Sequence, residues 1–173
     1  MVSHVLIIAE ENSQFSFIQH LNTKGDEANA AHCMVEVLSR ANSHVHFSSV
    51  DELGEHTYSF LHRRANLSRN ARFDWAIGIV NDQNTLGDIT SELIGEGAHS
   101  ESKVIAVTTG KQSNGINNRV VNRGKHTTAN ISQRGSLMGL GTLFTVLPVL
   151  TPNRKTGCWW CLIMRTAMLT PSC

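Results

Sequence analysis

Short apolar runs set into polar sequence constrain this 173-residue chain more than any other feature. "HVLIIAE" (4–10), "HVHFSSV" (44–50), "FDWAIGIV" (73–80) and "SKVIAVTT" (102–109) have the length and partly β-branched content of strands. "FDWAIGIV" looks apolar on both faces, which suits an interior strand. The segments between them carry helical spacing. Phe15, Ile18 and Leu21 form the first such set. Ala28, Ala31, Val35, Leu38 and Ala41 then fall on one helical face. In "DELGEHTYSFLHRRANLSRN" (51–70), Thr57, Phe60, Leu61 and Ala65 would face inward, with Arg63 and Arg64 outward. "LGDITSELIGEG" (86–97) reads as a short helix closed by glycine, as left-handed helix ends prefer.

The resulting order, β-α-β-α-β-α-β, predicts an α/β fold. The expected form is three-layer: a mainly parallel, flavodoxin-like (Rossmann-like) sheet of about four or five strands with helices on both faces. "LFTVLPVL" (143–150) would supply the fifth strand. Residues 1–150 read as a single α/β domain, with 110–136 as a long basic loop rich in Asn and Gly. Residues 151–173 change character and read as a C-terminal tail of uncertain structure. No internal repeat is read.

Composition excludes some classes. With 40% hydrophobic and 17% charged residues, the chain is globular rather than disordered. The longest apolar stretch, 137–150, falls short of the ~20 residues that a membrane helix needs. No basic and apolar leader opens the chain, so a cytoplasmic protein without membrane association is expected. Cysteines at 33, 158, 161 and 173 then read as free thiols. Charge is lopsided. Residues 1–101 hold all 14 acids and six bases, and residues 102–173 hold nine bases and no acid. This either makes a basic surface or is neutralised within the fold.

In a parallel α/β sheet, ligands bind beyond the carboxyl ends of the strands. That rule selects Glu10, Asn12 and Ser13 after the first strand. It selects Asn81, Asp82, Asn84, Gly87 and Asp88 after the third, and Thr109 after the fourth. Such groups suit a hydroxyl-rich ligand such as a ribose, although strand-end loops are polar in any case. Glu92, one turn into the predicted helix, is the candidate catalytic carboxylate. An ionised Glu there could attack or stabilise an anomeric carbon, since glycosyl cleavage passes through an oxocarbenium-like state. Its alternative is a solvent-facing helix residue. Lys111, Arg119 and Arg123 are candidate phosphate contacts. Aromatic residues that would stack bases are missing from that segment, so nucleic acid ranks below a small phosphate-bearing ligand. No metal and no cofactor is assigned. "CWWC" (158–161) has Cys-x-x-Cys spacing but lacks further ligands nearby. His44 and His46 share one strand face, yet without a third ligand close in sequence they read as packing or surface residues.

The succession "DWAIGIV", a loop with Asn, Asp and Gly87, then Ser91-Glu92-Leu93 with Gly95, then "KVIAV" resembles the nucleoside 2-deoxyribosyltransferase-like group. It is similar also to the TIR domains that cleave NAD. The resemblance spans about residues 4–109 and implies a flavodoxin-like sheet with Glu92 as the catalytic carboxylate. The function expected is therefore binding of a nucleotide or nucleoside, with cleavage or transfer of an N-glycosidic bond. The alternative is a non-catalytic nucleotide-sensing or protein-interaction domain. Homo-oligomerisation is left open.

Overall fold

The computed structural model describes residues 1–25, 28–150 and 158–165, with backbone alone for 147–150 and 158–165. Its elements are β1 (Val2–Ala9), β2 (Gln14–Asn22), β3 (Asn29–Ser39), β4 (His44–Glu52), β5 (Thr57–Leu67) and β6 (Arg72–Ile79). They continue with β7 (Thr85–Leu93), β8 (His99–Thr108), β9 (Ser113–Asn122), β10 (Thr128–Leu137), β11 (Thr142–Leu150) and β12 (Cys158–Arg165). The described residues contain no helix.

Strands alternate between two sheets. One runs β1-β3-β5-β7-β9-β11-β12 and the other β10-β8-β6-β4-β2. Neighbours are parallel throughout, except that β12 pairs with β11 antiparallel. From β1 to β9 each strand thus pairs with the strand two places on, and the chain winds as a β-solenoid. One coil is about 28 residues, seen in stacked pairs such as Asn42 and Asn70, 28 apart, and Asn12 and Asn42, 30 apart. A single coil cannot bury its own inner face, so stacking builds one continuous core.

Period-two alternation places the side chains. β3 turns Ala31, Cys33, Val35 and Val37 inward, and β6 turns Phe73, Trp75, Ile77 and Ile79 inward. Phe47 meets Trp75 edge-on at 5.0 Å between ring centroids, and Phe73 meets Trp75 at 4.5 Å. The interior also holds polar groups, many of them paired with one another. Trp75 Nε1 donates to Ser91 Oγ at 3.0 Å, and Arg63 Nη2 donates to Asp51 Oδ1 at 2.7 Å.

One corner repeats in every coil. Asn12, Asn42 and Asn70 each adopt positive φ (61°, 57° and 54°), and Gly97 (70°) and His126 (55°) continue the series. Asn tolerates this left-handed region better than most residues do. Asn42 Nδ2 donates to Asn12 Oδ1 at 3.1 Å and Asn70 Nδ2 to Asn42 Oδ1 at 3.3 Å, so the corners form a ladder. At the next rung a Cβ on Gly97 would strike Asn70 Oδ1.

The three-layer α/β expectation is overturned. The five segments read as strands are strands, but the expected helices are β2, β3, β5 and β7. The expected basic loop at 110–136 holds β9 and all but the last residue of β10. Helical spacing misled for two physical reasons. Leu38 faces outward and half-exposed, which fills in an i, i+3 pattern over the true alternation. Polar residues such as Ser59, Arg63, Thr85 and Ser91 face inward, which hides the alternation in β5 and β7. Arg63, expected outside, is buried, and Phe60, expected inside, is 50% exposed.

Candidate functional site

The residues selected from the sequence are scattered by this fold. Glu10, Asn12 and Ser13 lie at the Asn corner. There Glu10 pairs with Arg40 Nε at 3.1 Å, Ser13 Oγ donates to the Glu10 carbonyl at 2.7 Å, and Asn12 belongs to the ladder. Asn81 is buried at the opposite corner and works for the fold. Its Oδ1 accepts from Leu53 N at 2.8 Å, and its Nδ2 donates to Thr85 Oγ1 at 3.0 Å. Asn84 Oδ1 accepts from Ser113 N at 2.7 Å.

Asp82, Asn84, Thr109 and Lys111 are brought together along a polar groove of about 490 Å³ at that corner, with Glu55 and His56. Gly87 and Asp88 instead line a mostly apolar groove of about 370 Å³ on the seven-stranded sheet, beside Phe60, Leu86 and Phe144. Asp88 accepts a short hydrogen bond from Asn117. Glu92 stands on β7, not on a helix, and its Oε2 accepts from Arg123 Nε at 3.1 Å on the outer face. Arg119 Nη2 donates to Thr90 Oγ1 at 3.2 Å on the same face. Lys111, Arg119 and Arg123 therefore do not converge on one phosphate position.

The fold does assemble a cluster that the sequence reading passed over. His44 and His46 alternate onto the outer face of β4. Register then places Asp74 of β6 beside His46. Asp74 Oδ2 lies 3.2 Å from His44 Nε2 and 3.0 Å from His46 Nδ1, and the imidazole centroids are 4.5 Å apart. The three side chains are 31%, 45% and 24% exposed, partly shielded yet open to solvent. His46 and Asp74 border a cleft of about 140 Å³ whose far wall carries Glu101 and Lys103. The Lys103 ammonium, 3.1 Å away, holds the Glu101 carboxyl below its ordinary value through their hydrogen bond, against a smaller opposing effect of desolvation. Two imidazoles and a carboxylate are donors that transition metals take. Asp74 was missed because it lies 30 residues from His44, one coil away. The coil spacing was the signal that would have found it.

Comparison with known proteins gives the stacked strands a family. The model describing "SUF system FeS cluster assembly, SufBD core domain" matches residues 1–145, most of the chain. The chain belongs to the SufBD core family. Among curated relatives, an iron-sulfur cluster assembly protein SufD of Bacillus subtilis is 27% identical over 137 residues, covering 78% of this chain and 31% of the relative. An iron-sulfur cluster assembly SufBD family protein of Staphylococcus epidermidis is 20% identical over 127 residues, covering 73% of this chain and 27% of the relative. One from Staphylococcus aureus is 21% identical over 127 residues, with 73% and 27% covered. The chain thus spans about a third or less of these SufBD relatives. No solved structure matches.

Membership of the SufBD family overturns the resemblance to nucleoside deoxyribosyltransferases and TIR domains. With it falls the expectation of a nucleotide or nucleoside ligand and of N-glycosidic chemistry. The resemblance rested on a strand–helix–strand reading of residues 73–109, where the fold has β6, β7 and β8. Among the described residues, no helix is long and apolar enough to cross a membrane.

Proposed function

We propose that this chain supplies a stretch of β-solenoid to iron–sulfur cluster assembly, acting with protein partners of the SUF system. The observation that carries the reading is the match of the SufBD core over residues 1–145, the same stretch that winds into stacked coils. A solenoid adds surface coil by coil, and its flat walls suit docking of other proteins better than enclosure of a small substrate. The grooves of about 370 and 490 Å³ are open, in keeping with that role.

The cluster is cargo in this reading, not a resident group. Among the described side chains, the cysteine Cys33 is a free thiol that points into the core. Thiolates are the usual cluster ligands. Cluster contacts by this chain would therefore come from elsewhere, and Cys158 and Cys161 lie outside the described side chains. A buried free thiol also suits a reducing compartment, and the reading locates the protein in the cytoplasm.

Mild affinity isolation of the tagged protein from its host, followed by mass spectrometry, tests the partner assignment. Recovery of other SUF-system proteins in fixed ratio is expected. Recovery of the intact, folded protein without any of them would overturn it.

A further inference from the structure

We propose that His44, His46 and Asp74 form a binding site for a divalent first-row transition-metal ion on the outer wall of the five-stranded sheet. The proposal stands on geometry and holds independently of any role in cluster assembly. The three donor atoms lie within 4.8 Å of one another. Two ligands bonded to one ion at about 2.0–2.2 Å sit roughly 2.9–3.5 Å apart, from octahedral to tetrahedral angles. The observed 3.0 and 3.2 Å separations from Asp74 Oδ2 fall in that range. The donors are also held in place. The histidines are two apart on one strand, and the aspartate is fixed by register on the next.

The donor set selects the ion. Two imidazoles and one carboxylate favour zinc or iron(II) over magnesium or calcium, which prefer oxygen throughout. Exposure leaves the remaining coordination positions to water. The charges around the site are mixed. Arg72, the register partner of His44, is exposed, and His99 follows it in register. Glu101, the register partner of Asp74, is engaged with Lys103. On β2 the register neighbours, Gln14 and Ser16, are uncharged.

Titration of the metal-free protein with Co²⁺, followed by visible absorption and competed with Zn²⁺ and Mg²⁺, tests this. Cys158→Ser/Cys161→Ser/Cys173→Ser serves as the background, which leaves the buried Cys33 as the remaining thiol. One saturating equivalent is expected, displaced by Zn²⁺ and not by Mg²⁺. Affinity should fall at least tenfold in His46→Ala and in Asp74→Ala. It should be unchanged in His20→Ala, which removes a similar exposed histidine paired with Glu52. The altered side chains are partly exposed, and circular dichroism confirms that each variant is folded. Absence of saturable Co²⁺ binding in the background protein, or equal binding by folded His46→Ala, would overturn the proposal.

Discussion

The ion pair inside the solenoid gives a sharp test of the packing account. Arg63 of β5 reaches across the interior to Asp51 of β4, joining the two sheets at 2.7 Å with 1% and 0% of the side chains exposed. The pair is imperfectly satisfied, since Arg63 Nε and Asp51 Oδ2 have no partner. Arg63→Met fills similar space but strands the Asp51 carboxylate, leaving it only the Ser49 hydroxyl at 3.3 Å. Removing one member of a buried pair costs about 3–5 kcal/mol. That is a large part of the ~5–15 kcal/mol that holds an ordinary domain together. Asp51→Leu with Arg63→Met removes both charges and both orphaned atoms. The loss then shrinks to about 1 kcal/mol, mainly the Ser49 hydroxyl left without its acceptor. Equilibrium urea unfolding followed by far-ultraviolet circular dichroism measures both. A single variant within 1 kcal/mol of the parent, or a double variant no more stable than Arg63→Met, would refute the reasoning.

Three further outcomes follow from local geometry. Asn42→Ala should lose about 1–2 kcal/mol in the same unfolding assay, because Ala resists φ 57° and two ladder hydrogen bonds go, whereas Asn42→Gly should lose less. Gly97→Ala should cost about 1–3 kcal/mol through its φ of 70° and the collision with Asn70, and Asn70→Gly should relieve the steric part when the two are combined. Lys103→Met should raise the Glu101 pKa toward its ordinary value, as read by NMR titration. Because folding lowers that pKa, the pair's small stabilisation is fully present above the carboxyl's unfolded value and is lost as pH falls through the folded one.

Much of the strand content was legible, and its arrangement was not. Runs such as "FDWAIGIV" announce themselves because their inner faces are large and apolar. β7 does not, because Thr85, Gly87 and Ser91 face inward there, Thr85 paired with Ser59 and Ser91 with Trp75. A local pattern cannot anticipate a partner one coil away. The decisive signal was long-range: Asn12, Asn42, Asn70, Gly97 and His126 mark the same corner of successive coils, and the first three carry the same side chain. The ligand-facing edge expected for Glu92 depends on a helix, and the fold has β7 there instead. His44 and His46 were seen to share a face; only register supplies Asp74.

The functional reading is tested most directly by depleting the protein that carries this chain in its host. The activities of cluster-dependent enzymes are then measured beside cluster-independent ones. Assembly of iron–sulfur clusters through this protein predicts a selective fall in the first group, restored by re-expression. Unchanged cluster-dependent activities after full depletion would contradict it.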